Sequence, residues 1–265
     1  MPQDWDAATY DRIADPQARW GTAVLDRLEL DGDGRVMDAG CGSGRVTELV
    51  AERFPNARIV ALDGSSSMIE QARGRLRRFG DRIAFVLADL MRPLPVDEQV
   101  DAVLSTATFH WVPDHDALFA NLAGAMGPGA RLVAQCGGAG NLTSVVRVLG
   151  EMGADTFSGK VFATPEETEA RLRRAGFADI ECWLHREPTP FQSTDALETF
   201  LRTVVLGDHV HGMGDVEAAA FTHAVASRLP GLELDYVRLN IGATRAGWRF
   251  RRTRSRPVPP ARPRS

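Results

Sequence analysis

No stretch of this 265-residue chain holds the roughly 20 consecutive apolar residues that a membrane-crossing helix requires. Its acidic opening, MPQDWDAATYDR, lacks the basic-then-apolar layout of a secretory leader, so the expected location is cytoplasmic. Cysteine is scarce. Cys41, Cys136 and Cys182 are far apart, and no CxxC or Cys/His ligand spacing occurs, which argues against a disulfide framework or a zinc site. His209-Val-His211 has no carboxylate–histidine set beside it. Asp31-Gly-Asp-Gly34 opens like a calcium loop but lacks the closing acid, so no metal is expected. Acid is missing altogether from residues 245–265, which hold eight arginines. Withdrawing those eight charges from the overall −4 leaves −12 for residues 1–244. So acidic a body does not suit a protein whose main task is gripping nucleic acid. The Pro- and Arg-rich tail itself reads as a disordered, solvated extension.

What is present is an ordinary globular balance, 44% hydrophobic and 25% charged, in a length that suits one large α/β domain. Residues 1–30 read as an N-terminal cap, with a helix over 17–29. Short apolar runs at 35–39, 58–62, 83–87, 100–105 and 130–136 read as buried strands. Between them, helical spacing recurs beyond residue 45 and over 66–79 and 116–126. Strands alternating with helices of this length imply crossover connections and a mostly parallel sheet covered on both faces. Thr164-Pro-Glu-Glu167 is a helix start with a capping box, followed by a strand over 179–185. Helical insertions are expected near 140–160 and 187–230, the latter holding helices at about 195–206 and 215–228. Leu234–Ile241 alternates as a last strand, so residues 31–244 form the main domain.

The segment with the most chemistry is Val36-Met-Asp-Ala-Gly-Cys-Gly-Ser-Gly44, between the first strand and its helix. Glycines 40, 42 and 44 allow a sharp turn and let a ligand lie against bare main chain, while the helix start beyond offers amide donors. A dinucleotide site would want GxGxxG, and Arg45 stands where that third glycine would be, which disfavours a nicotinamide-dependent oxidoreductase. Asp63 closes the second strand, 23 residues beyond Gly40, and Asp89 follows the third in Leu87-Ala-Asp-Leu90. These positions share the carboxyl edge of the sheet, where open α/β folds bind ligands.

Asp38 two residues before GxGxG, with the acids that follow, resembles the class I S-adenosylmethionine-dependent methyltransferases. Ser105-Thr-Ala-Thr-Phe-His-Trp-Val-Pro-Asp-His115 narrows the likeness to the group with trans-aconitate methyltransferase and the biotin-pathway malonyl-carrier methyltransferase, over roughly residues 4–244. The resemblance implies a Rossmann-like, seven-stranded, mostly parallel sheet with an antiparallel last strand and helical caps. It implies S-adenosyl-L-methionine as cofactor, held by Asp38, Gly40, Cys41, Gly42, Gly44, Asp63, Gly64, Met68, Ala88, Asp89, Leu90 and Ser105. In it Asp63 takes the ribose hydroxyls, Asp89 takes the adenine amine, and Trp5 and Tyr10 close over the cofactor or merely anchor the N-terminal arm.

Relatives in that group methylate carboxylates of small molecules. A carboxylate is ionised at pH 7 and needs no general base. His110 then orients an oxygen, serves as base for a phenol or amine acceptor, or is an ordinary strand-end histidine. Trp111 walls the substrate pocket or packs in the core. Arg12 and Arg19 are candidates for a polycarboxylate acceptor; phenylalanines 157, 162, 191, 200 and 221 suit a hydrophobic acid. From another class, a nucleic-acid- or protein-binding module with a vestigial site and a basic tail stays open as the alternative.

Overall fold

The computed structural model describes residues 15–30 and 32–247, so Trp5, Tyr10, Arg12 and most of the arginine-rich tail lie outside the described residues. Five strands come first: β1 (Arg35–Ala39), β2 (Arg58–Asp63), β3 (Ile83–Leu87), β4 (Val100–Thr106) and β5 (Met126–Gly137). After them come β6 (Phe177–Arg186), the two-residue strands β7 (Thr189–Pro190) and β8 (Glu233–Leu234), and β9 (Val237–Arg245). The main sheet has seven strands in the order β3-β2-β1-β4-β5-β9-β6, and β7 pairs separately with β8. The pairs β1–β2, β1–β4, β2–β3 and β4–β5 are parallel. Only β9 runs against its neighbours β5 and β6. The expected sheet is therefore the observed one.

Period-two alternation explains how helices cover both faces. Val36, Ile59, Ala61, Ala102 and Leu104 face one core with α1 (Asp15–Leu25), α2 (Arg45–Arg53) and α3 (Ser66–Leu76), through Val24, Val50, Ile69 and Leu76. The intervening Met37, Val60, Leu62 and Val103 face the opposite core, which α4 (His115–Ala125) and α6 (Pro165–Arg174) close with Leu118, Phe119, Leu122 and Leu172. The capping box forms as read: Thr164 Oγ1 accepts from Glu167 N at 3.2 Å, and Glu167 Oε2 accepts from Thr164 N at 3.1 Å. A third apolar cluster joins Trp20 to α5 (Thr143–Glu151), α7 (Thr194–Phe200), α9 (Asp215–Ala226) and Tyr236.

Local differences from the sequence reading cluster in the last third. The helix expected over 195–206 stops at Phe200 and continues as a π turn over Leu201–Val205, where Leu206 N donates to Leu201 O at 2.7 Å. Gly207 then starts the four-residue α8 (Gly207–Val210). Leu234 leaves the expected last strand to pair with Thr189, and β9 instead runs on to Arg245. Arg245 is held there because its guanidinium donates from Nε to Ala123 O at 3.0 Å and from Nη1 to Gly176 O at 2.8 Å. Among the described residues no helix is long and apolar enough to cross a membrane.

Candidate active site

Three loops leaving the carboxyl ends of β1, β2 and β3 meet in hydrogen bonds. Gly40 N and Cys41 N both donate to Leu62 O, at 2.8 and 2.9 Å. Gly42 N donates to Asp63 Oδ2 at 2.8 Å and Ser65 N to Asp63 Oδ1 at 2.9 Å. Ala88 N donates to Asp63 O at 3.0 Å, and Asp89 Oδ1 accepts from Met91 N at 2.9 Å. Gly40 and Gly44 both adopt φ of 83°, in the left-handed region that glycine enters without steric cost. At Gly40 a Cβ would also lie 2.2 Å from the Thr108 side chain. Bare main chain at this bend is a steric requirement.

These loops border a cavity of about 610 Å³, within the usual range for small-molecule sites. On its wall lie Gly40, Gly42, Asp63, Gly64 and Met68 from the first two loops, Ala88, Asp89 and Leu90 from the third, and His110 and Trp111 beyond β4. Four other sequence candidates sit behind that wall. Asp38 is fully buried and accepts from Thr47 Oγ1 at 2.6 Å; Ser105 Oγ donates to Ala39 O at 2.6 Å. Gly44 packs under α3, where a Cβ would meet Leu76 and Ala72, and the Cys41 thiol is turned towards Gly42 O. These four shape the loop from beneath.

Burial sets the electrostatics. Desolvation raises the Asp63 carboxyl above its ordinary range, while the N–H groups of Ser65 and Gly42 pull it back. Asp38, deeper, is pushed up to about 7 by desolvation, against the Thr47 hydroxyl. Across the sheet, desolvation holds the His110 imidazole well below its usual value, and the positive charges of Arg238 and Lys160 push it the same way. Gly137 N donates to His110 Nδ1 at 3.3 Å, so the neutral ring carries its proton on Nε2.

Sequence reasoning missed two cations and three strained positions. Lys160 lines the cavity with its ammonium 4.1 Å from the Trp111 ring centre and 4.0 Å from that of Phe157. Arg238, 2% exposed, reaches the cavity from β9 with its guanidinium 4.2 Å above the Trp20 ring, and Nε donates to Gln135 Oε1 at 3.4 Å. Lys160 is the chain's sole lysine and follows Phe157 by three positions, a signal that was there to be read. Ala107, Leu142 and Phe157 line the cavity at φ of 53°, 55° and 63°, where non-glycine residues are uncommon. Such strained backbone gathers at ligand sites. Among the described residues no group of three or more His, Cys, Asp or Glu side chains is arranged to hold a metal.

Comparison with known proteins bears on the family. A family described as a methyltransferase domain matches residues 36–129, the segment from β1 into β5. The trans-aconitate 2-methyltransferase of Variovorax paradoxus is 39% identical over 132 residues, covering 50% of this chain and 49% of that protein. Over that alignment the chain spans about half the length of its relative. The trans-aconitate 2-methyltransferase of Methylobacterium nodulans is 35% identical over 186 residues, covering 68% of this chain and 67% of its own length. Among solved structures, phosphoethanolamine N-methyltransferase 2 of Haemonchus contortus, with S-adenosylhomocysteine bound, superposes with a TM-score of 0.63 at 19% identity. That match covers 91% of this chain and 57% of the other.

Proposed function

The chain belongs to the class I S-adenosylmethionine-dependent methyltransferases, and from that premise we propose that it methylates a carboxylate oxygen of a small acid. Its residues fit the cofactor. Gly40 and Gly42 offer main chain without side-chain obstruction, and a Cβ on Gly42 would meet nothing within 4 Å. Asp63 accepts one backbone N–H on each oxygen, so about half of the roughly four lone-pair positions of a carboxylate remain for two ribose hydroxyls. Met68, Ala88 and Leu90 give apolar walls for a purine, with Asp89 beside them as the acceptor for its amine. Asp38, Cys41, Gly44 and Ser105 serve the same site indirectly, by fixing the loop. When bound, the cofactor supplies an activated methyl group.

The observation that carries the choice of a carboxylate is the state of His110. The one basic nitrogen of its neutral ring, Nδ1, already accepts the Gly137 N–H, which leaves a donor rather than a base facing outward. A phenol or ammonium acceptor needs its proton removed, whereas a carboxylate has already lost it at pH 7. His110 therefore orients the acceptor by donating to an oxygen. Trp111, the π turn through Val204 and Val205, and α8 through Asp208 border the cavity and keep water from the acceptor, so the chain's contribution is mainly alignment.

Two measurements test this. Calorimetry should detect binding of S-adenosylmethionine and S-adenosylhomocysteine to the wild type, with a loss of at least about 1.5 kcal/mol in Asp63→Ala, as for a charged hydrogen-bond acceptor. A methyl-transfer assay across carboxylic, phenolic and amine acceptors should give a base-labile ester only from the acids. Turnover restricted to phenols or amines would reverse the choice of acceptor.

A further inference from the structure

Asp63 and Asp89 lie on the β2/β3 side of the cavity, and its two cations, Lys160 and Arg238, stand on the β4/β9 side with the acids Asp155 and Asp208 near Lys160. Lys160 is the more telling of the two cations. Its side chain is 6% exposed, which strips the ammonium of most of its water. Two ring faces offset part of that cost, since Nζ lies 4.1 Å from the Trp111 centroid and 4.0 Å from the Phe157 centroid. The carboxylate of the 40%-exposed Asp208 of α8 stands 3.4 Å away, and that of the exposed Asp155 adds its charge without reaching ion-pair distance. An ammonium has three donors, and Asp208 provides a single partner from the rim. Phe157, the residue that sets this cage, holds φ of 63°, so backbone strain accompanies the placement of the charge.

We propose that Lys160 determines acceptor specificity by holding a second carboxylate of the methyl acceptor, in competition with Asp208. This rests on the carboxylate methyltransferase reading above. A carboxylate tied to an ammonium loses nucleophilicity, so the group that Lys160 holds is a different one from the group that is methylated. The acceptor class is thus an acid with at least two carboxylates spaced to reach both His110 and Lys160. Asp208 is the internal rival for the ammonium. Because it sits on a four-residue helix directly after a π turn, it can yield to the acceptor without disturbing the sheet.

Steady-state kinetics with trans-aconitate and with crotonate, a mono-acid of similar unsaturation, test the proposal in wild type, Lys160→Met and Asp208→Asn. In Lys160→Met, KM for trans-aconitate should rise at least tenfold, crotonate kinetics should stay within twofold, and S-adenosylhomocysteine affinity should be unchanged, showing that the variant folds. Asp208→Asn should lower KM for trans-aconitate several-fold. An unchanged trans-aconitate KM in Lys160→Met, or equal losses for both acids, overturns the proposal. The single lysine allows a second readout in the wild-type protein: lysine labelled with 13C at Cε gives one side-chain resonance. A saturable shift of that resonance with trans-aconitate, absent with crotonate, supports the subsite, and no shift overturns it. If the wild type turns over no carboxylic acid, the activity assignment has failed, and the resonance alone then decides whether the anion site exists.

Discussion

Gly42 donates its backbone N–H to Asp63 Oδ2 at 2.8 Å, tying the glycine loop after β1 to the end of β2. Asp63 thereby has two roles, since the carboxylate that faces the cavity also fixes the loop around it. Asp63→Asn separates them. Its amide oxygen can replace only one acceptor, and its NH2 must turn towards either Gly42 N–H or Ser65 N–H. The expected outcome is a loss of both stability, by about 1–3 kcal/mol for the unmatched donor, and S-adenosylhomocysteine affinity. Urea denaturation and calorimetry on the one variant check it; reduced affinity with unchanged stability would confine Asp63 to the ligand.

Gly40 makes a purely steric prediction. Its φ of 83° disfavours any Cβ, and the Thr108 side chain would lie 2.2 Å from one. Gly40→Ala should cost at least about 2 kcal/mol, combining left-handed strain with overpacking. Adding Thr108→Ala should recover only part of this, because the Cβ at position 108 would still lie 2.6 Å away and the backbone strain persists. Full recovery in the double variant, by urea denaturation, would show that the dihedral angle carries no cost.

How much of this was legible in the sequence follows from which interactions are local. The strands could be read because both faces of the sheet are covered, so Val36, Met37, Ile59 and Val60 all had to be apolar. The glycine loop could be read because each glycine answers a short-range constraint. Nothing in the spacing distinguished Asp38, which is buried beneath the loop against Thr47, from Asp63, which faces the cavity. Lys160 and Arg238 were hidden for another reason: periodicity treats a charge as a solvated position. Their burial depends on rings brought from distant segments, Trp20 over Arg238 and Trp111 over Lys160. The passage from α7 into α8 was blurred likewise, its packing set by long-range contacts such as the edge-on Phe200–Tyr236 pair at 6.5 Å.

Asp38 predicts a pH signature. Its carboxyl titrates at about 7 in the folded chain against an ordinary 3.8, so between those values the native state keeps a proton that the unfolded chain has released. Its contribution to stability is therefore full below about pH 3.8 and is lost as pH rises through about 7. Asparagine mimics the protonated acid and can still accept from Thr47. Asp38→Asn should thus gain stability relative to wild type from pH 4 to 7 and level off above that. The comparison cancels the opposite trend from His110 and His115, whose lowered values remove stability as pH falls below about 6.5. A wild-type-minus-variant difference that is flat with pH would mean that Asp38 ionises normally in the fold.

His110 gives the sharpest test of mechanism. Its Nδ1 is occupied by Gly137 N–H, its Nε2 carries the proton, and burial together with Arg238 and Lys160 keeps the ring neutral well below pH 6.5. A base that had to lose a proton near neutrality would impose a rising limb on kcat/KM between pH 6 and 8. With a carboxylic acceptor the profile should instead be level there. His110→Gln keeps an N–H donor and should lose less than about tenfold, whereas His110→Phe, which keeps the ring but no donor, should lose more. Neither variant should change the shape of the profile. General-base catalysis would cost both variants about 10²-fold or more, so equal losses of that size would place the proton-accepting role back on this histidine.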